Sequence, residues 1–305
     1  DESKKEDDDN ITVFKPRSMI TNPKTLCAMI TDRERLVNGN CVAYRKLRRD
    51  LFNTYSENDP MLGQKIRQHR REILIQKGFI GDNHTGDVDE WTFVGLAHRK
   101  FRRKWLNIQE VMSMCDNKFT AHKIVCTTID VEEATSPEEQ LLMHRSLHAF
   151  IGVHGAQLTQ GVLLSRHGYI LELLPWVPFY LWGGWVATTH RPTPLGIIFH
   201  ETDLNHVGYA LGRESVPLCL HVDSSNEELE RGCLMNKTSG VRYKFQWAGR
   251  DFNVPIRVIE DFITLFLRKD RSNSVCGDMR RRAEQNNFVL YNAFCRESMD
   301  QTRHA

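Results

Sequence analysis

From Trp91 to Leu174 the apolar residues fall into runs of five to seven, separated by polar stretches with helical character. Trp91–Ala97 reads as a strand, Asn107–Met114 as a helix and Lys123–Ile129 as a second strand. Ser136-Pro137-Glu138-Glu139 opens another helix, because Ser at the N-cap, Pro at the first helical position and Glu three residues beyond the cap form a capping box. That helix runs to about Ser146. A strand over Ala149–Val153, a helical stretch over Gln157–Leu164 and a strand over Tyr169–Leu174, ended by Pro175, complete the series. Strand–helix alternation with short connections predicts an α/β fold, a parallel sheet with helices on both faces. In such sheets ligands bind beyond the carboxyl ends of the strands.

The flanks are less regular. Residues 1–25 open on an acidic stretch and read as a disordered tail. Residues 26–80 are helical and strongly basic; Lys65, Arg67, Arg70 and Arg71 precede Ile73-Leu74-Ile75 and read as a solvated helix face. Gly81–Glu90 is a polar loop and the best internal boundary. Pro175–Gly212 is rich in Trp, Tyr, Phe, Gly and Pro and reads as long loops. Pro255–Leu267 is an amphipathic helix with Pro at its start, and 269–305 reads as a peripheral tail. The expected units are therefore 1–25, 26–90, 91–268 and 269–305.

Composition narrows the functional classes. With 305 residues, 40% apolar and 26% charged, the chain can bury a substantial core. A formal charge of +2 argues against a generic polyanion binder, and the basic cluster lacks the interleaved aromatic platform of a nucleic-acid reader. No apolar run is long enough to span a bilayer, so any membrane anchor is expected outside this chain. The chain lacks an initiator Met and is expected to be a piece of a longer protein. Eight cysteines, none in a CxxC pair, agree with disulfides, with Cys219/Cys233 and Cys276/Cys295 as local pairs, or with buried thiols. Together with N-x-S/T sequons at Asn10, Asn83 and Asn236 they favour a secretory-pathway lumen.

Three features carry candidate chemistry. The strand Ala149–Val153 stops at His154-Gly155-Ala156, where a strand-to-helix corner leaves backbone N–H groups for an anion. Gly155 and Ala156 allow close approach of a phosphate, and His154 adds a donor. The first strand ends in His98-Arg99-Lys100-Phe101-Arg102-Arg103-Lys104, in which Arg99 and Arg103 suit a bidentate diphosphate clamp; the bland alternative is a solvated loop. Glu172 sits inside the apolar strand Tyr169–Leu174, where a carboxylate needs a partner. It either accepts ribose hydroxyls or pairs with a structural Arg or backbone amides.

In order and spacing, His-Arg-x-x-x-Arg-x-x-Leu-Asn at 98–107, Glu139-Gln140, Gly152-Val-His-Gly-Ala-x-Leu-Thr159 and Leu171-Glu-Leu-x-Pro175 resemble glycosyltransferase family 61. That family includes plant xylan xylosyl- and arabinosyltransferases and protein O-GlcNAc transferases of the endoplasmic reticulum. The resemblance implies the two-Rossmann-domain GT-B fold, here with the C-terminal donor-binding domain complete and the N-terminal, acceptor-side half partial. It implies inverting, metal-independent sugar transfer from a UDP-sugar donor, with no other cofactor, to a glycan or glycoprotein in the Golgi or endoplasmic reticulum. Xylose, GlcNAc and arabinose are the candidate sugars. Arg99 and Arg103 inherit a diphosphate role; His154, Gly155, Ala156, Leu158, Thr159 and Glu172 inherit nucleotide-site roles.

Two residues depart from the family pattern, Gln157 after His-Gly-Ala and Gln160 after Leu-Thr. His154 suits proton transfer near neutrality, but its closeness to the phosphate site favours donor binding, and the catalytic base is not identified. The aromatic stretch Trp176–Trp185 is a candidate for acceptor stacking. A catalytically silent relative that binds a glycan or a partner protein is the competing reading. A dinucleotide-dependent oxidoreductase is disfavoured by the absence of a Gly-x-Gly-x-x-Gly turn.

Overall fold

The computed structural model describes residues 41–55, 59–83, 86–99, 103–130, 136–176, 193–199, 202–215, 251–267 and 276–292. The tail 1–25, the sequons at Asn10 and Asn236, Cys219, Cys233, Cys295 and positions 177–185 of the aromatic stretch lie outside these residues. Among the described residues no helix is long and apolar enough to cross a membrane.

Among the described residues two basic helices come first, α1 (Cys41–Thr54) and α2 (Pro60–Gln76). The side chain of Asp59 caps α2 by accepting from the Met61 N–H, with Pro60 in the first turn. The alternating region follows: β1 (Thr92–His98), α3 (Ile108–Phe119), β2 (Ile124–Asp130), α4 (Pro137–Arg145) and β3 (Ala149–Val153). A 3-10 helix (Ala156–Leu163) leads to β4 (Tyr169–Leu174), a short α5 (Pro194–Ile198) and β5 (Asn205–Ala210). Helix α6 (Ile256–Phe262) continues into a π-helical turn over Ile263–Leu267, and α7 (Cys276–Gln285) precedes β6 (Phe288–Asn292). The capping box at Ser136 forms as its sequence requires: Glu139 N–H donates to Ser136 Oγ and Ser136 N–H donates to Glu139 Oε2, both at 3.1 Å.

The strands form one six-stranded sheet, β2-β1-β3-β4-β5-β6. The first five are parallel and β6 pairs antiparallel with β5. This is the mixed α/β, Rossmann-like arrangement of a sheet flanked by helices. Alternate residues of each strand feed opposite cores. Val94, Leu96, Ile151, Leu171 and Val207 pack under α3, α6 and α7. On the other face, Phe93, Val125, Phe150 and Ile170 meet Ile73 and Leu74 of α2, Leu158 and Val162 of the 3-10 helix, and Phe199. At about 1.5–3 kcal/mol per fully buried large apolar side chain, both faces contribute heavily to stability.

Several expectations change. Arg70 is not on a solvated face: it is buried and donates to Ser146 O at 3.0 Å and to Asp89 Oδ1 at 2.8 Å. Pro175–Gly212 was expected to be loop, yet it holds α5 and β5. Residues 276–292, within the expected peripheral tail, supply α7 and the edge strand β6. A disulfide joins Cys115 of α3 to Cys126 of β2, a pairing not expected from the sequence.

Candidate functional site

After β1 the chain crosses to β2 through α3 on one face. After β3 it crosses to β4 through the 3-10 helix on the other. The connections therefore diverge between β1 and β3, which makes this the topological switch point of the sheet. In sheets of this kind the crevice that takes a ligand lies there, at the carboxyl ends of the strands. The residues at its lip are His98-Arg99 from β1 and His154-Gly155 from β3.

The two basic residues of the first motif converge on this corner. A Cβ placed on Gly155 would lie 2.7 Å from Arg103 Nη1 and 3.1 Å from Arg99 Nη2. Gly155 adopts φ +154° and ψ 177°, a conformation that only glycine takes readily, so its identity is fixed by backbone and by crowding alike. Arg103 Nη1 donates to the His154 carbonyl. Burial, and then the neighbouring Arg99 charge, push the Arg103 guanidinium down to about 10. Two like charges held together disfavour each other, and an anion between them relieves that repulsion.

The base of the basic loop is anchored. Lys104 N–H donates to Asp251 Oδ1 at 2.8 Å, and residues 104–106 pair with Phe252 through Phe252 N–H to Lys104 O and Leu106 N–H to Phe252 O. Asn107 clasps Val254 twice, accepting from its N–H and donating to its carbonyl, each at 2.9 Å. The Asn of the Arg-x-x-Leu-Asn motif thus fixes the loop that carries Arg103, which itself sits at φ 59°.

Gln157 was singled out only as a departure. In the structure it bridges the two lips of the crevice: Arg99 Nε donates to its Oε1 at 2.7 Å, and its Nε2 donates to His98 O at 3.2 Å. No side chain caps the first turn of the 3-10 helix, so the exposed Ala156 presents uncapped backbone at the corner. The Thr159 hydroxyl donates to Ala156 O at 2.5 Å. Leu158 is fully buried in the second core, which leaves only its backbone for a ligand.

Glu172 is also fully buried, and both its oxygens are turned inward. His154 Nδ1 hydrogen-bonds to Oε1, Thr193 Oγ1 donates to Oε2 at 2.7 Å, and His206 Nε2 makes an ion-pair contact with Oε2 at 3.0 Å. Burial raises the carboxyl pKa, but hydrogen bonds from His154 and His206 and their charges outweigh it and take it down to about 2. Its protein partners are therefore imidazoles and a hydroxyl rather than an Arg or backbone amides. Thr193, His206 and Tyr291, whose ring lies 5.1 Å from that of His206, were not expected at the site. The signal that points to them is Glu172 itself, since a carboxylate inside a central strand demands polar partners on neighbouring strands. Among the described residues no three His, Cys, Asp or Glu side chains are grouped to hold a metal ion.

No protein-family model matches the chain. A stretch of 119 residues, 38% of the chain, is 27% identical to the alpha-1,3-arabinosyltransferase XAT3 of Oryza sativa subsp. japonica. The matched stretch spans 18% of that protein's length. The chain thus bears a distant, partial similarity to a plant glycosyltransferase.

Proposed function

We propose that this chain binds a UDP-sugar at the β1/β3 switch point and transfers its sugar, with inversion and without a metal ion, to a glycan or glycoprotein acceptor. The observation that carries this reading is the convergence of the Arg99 and Arg103 guanidiniums on the Gly155 corner. A diphosphate there accepts charge-assisted hydrogen bonds from both guanidiniums and from the first N–H groups of the 3-10 helix. As the acceptor hydroxyl gives up its proton to a general base and its oxygen bonds to the anomeric carbon, the bond to the diphosphate breaks and negative charge gathers on the leaving group, where these donors stabilise it. The partial likeness to an arabinosyltransferase supports the transferase class. In this reading the sheet is the donor-binding half of a GT-B architecture. The Cys115–Cys126 disulfide and the exposed turn position of Asn83 agree with a lumenal, glycosylated protein.

Calorimetry with UDP-xylose, UDP-arabinose and UDP-GlcNAc tests the reading, with turnover followed as release of UDP. At least one donor binds, and Arg103→Ala weakens it tenfold or more, a change of about 1.4 kcal/mol. Binding of none by the full chain overturns the proposal. Binding without transfer to any acceptor assigns the chain instead to a catalytically silent relative.

A further inference from the structure

The 3-10 helix that begins at the Gly155 corner is held from its other end by a residue far upstream. Ala156–Leu163 follows the tighter coil over eight residues, with Leu158 N–H donating to Gly155 O at 3.0 Å and, at the far end, Leu164 N–H to Gly161 O at 3.1 Å. Runs beyond three or four residues are uncommon, because the hydrogen bonds are poorer than in an α-helix. With a rise of about 2.0 Å per residue against about 1.5 Å, relaxing eight residues into an α-helix draws the ends together by about 4 Å. A restraint at the carboxyl end, where the last carbonyls have no partner within the helix, opposes that relaxation. Arg48 of α1 supplies it. This buried side chain donates through Nη1 to Val162 O at 2.8 Å and Leu164 O at 2.9 Å, and through Nη2 to Ser165 O at 3.0 Å. It also pairs with Asp203, Nε donating to Oδ1 and Nη2 to Oδ2 at 3.1 Å, which engages all five donors of the guanidinium. The Phe52 ring, one turn along α1, lies with its centre 4.6 Å from the same group.

Resting on the donor-site reading above, we propose that Arg48 is a positioning residue for the diphosphate: by holding the carboxyl end of the 3-10 helix it keeps the helix extended, and so sets where the backbone N–H groups of the corner meet the anion. The two ends belong to one element. At the amino end Arg103 Nη1 donates to His154 O, and the Arg99 and Arg103 guanidiniums crowd Gly155. At the carboxyl end Arg48 reaches the helix from 114 to 117 residues upstream in the chain. The geometry requires a guanidinium, because its planar fork spans three carbonyls and a carboxylate at once, whereas a lysine ammonium is a single point of charge. Arg70 of α2 provides the internal contrast. It is buried too and likewise holds a helix end, but that of α4, through Ser146 O at 3.0 Å, together with Asp89.

Calorimetry with UDP, the part common to the candidate donors, tests this role. Arg48→Ala raises the Kd for UDP by roughly fivefold or more, and Arg48→Lys, which keeps the charge but not the fork, lies between it and wild type. Arg70→Ala removes a helix-end clamp of the same kind from another helix; it lowers the unfolding midpoint and leaves the Kd unchanged. A merely structural role moves the Kd alike in the two alanine variants or in neither, and either result overturns the positioning role. Because loss of a buried guanidinium can unfold the chain, hydrogen exchange on the wild type supplies a readout that needs no substitution. Adding UDP slows exchange across residues 156–165, at the carboxyl end of the helix as well as at the corner; slowing confined to the corner overturns the role. Should Arg103→Ala weaken UDP binding while Arg48→Ala binds as wild type does, the positioning role falls and the donor site stands. Absence of UDP binding by wild type removes both.

Discussion

Gln157 holds Arg99 by its Nε at 2.7 Å, and with its other amide atom holds the end of β1 at His98 O. A guanidinium has five donors in a fixed fork, so occupying Nε turns the Nη edge toward Gly155. Gln157 therefore selects which edge of Arg99 faces the Gly155 corner.

Removing that grip frees Arg99 without changing its charge. Gln157→Ala raises the Kd for a UDP-sugar by roughly three- to tenfold, since one oriented contact is worth about 1 kcal/mol. Gln157→Glu weakens binding more, because the new carboxylate pairs with Arg99 and competes with the diphosphate. Calorimetry on both variants checks the order; equal or tighter binding by the Glu variant refutes the positioning of Arg99.

Gly155→Ala meets two penalties at once. The backbone at φ +154° is strained for alanine, at about 1–3 kcal/mol, and the added methyl would sit 2.7 Å from Arg103 Nη1. Thermal unfolding shifts down by several degrees and UDP-sugar affinity drops at least tenfold. Retention of wild-type affinity in a folded variant shows that the corner is not the anion site.

His144 governs acid sensitivity. It is fully buried, with Nδ1 2.7 Å from Gln140 O, and burial takes its pKa down to about 4 against the upward pull of that backbone hydrogen bond. The unfolded chain binds the proton first, so stability falls as pH drops from about 6.5 to about 4, by about 3 kcal/mol in total. The Glu172 contribution is lost in a separate window, from about 4.5 down to about 2. Chemical denaturation at stepped pH resolves the two phases; in His144→Leu the upper phase shrinks to what His69, whose pKa burial also lowers, contributes.

Cys115 and Cys126 close a loop with a sequence separation of 11. Tying α3 to β2 restricts the unfolded chain by about 3 kcal/mol in the loop-entropy picture. Reduction, or Cys115→Ala with Cys126→Ala, lowers the unfolding midpoint accordingly, and thiol titration under denaturing conditions before and after reduction counts the pair. A midpoint unchanged by reduction argues against the bond.

What the sequence made legible, and what it did not, follows from where the information lies. Ala149–Val153 and Tyr169–Leu174 match their predicted bounds because each is an apolar run closed by a corner or a proline. Ser136 and Glu139 matched because a capping box is a local device. Strand β5 was hidden because Asn205-His206-Val207-Gly208-Tyr209-Ala210 has a single β-branched residue and a glycine in its middle. Those same residues are the ones the interior needs: His206 to face Glu172 and Gly208 to admit Tyr291. That the basic cluster and the His154-Gly155-Ala156 corner reach one edge of the sheet was anticipated from strand–helix alternation, whereas the role of Gln157 depends on the distance between two loop ends, which no local pattern encodes.

The antiparallel strand β6 carries a consequence for biosynthesis. It is the last described element of the chain, yet it covers the open edge of β5 and sets Tyr291 over His206. A nascent chain stalled before Phe288 leaves a parallel strand edge exposed to pairing with other chains. The β5 edge is closed only once Phe288–Asn292 has emerged and paired with it.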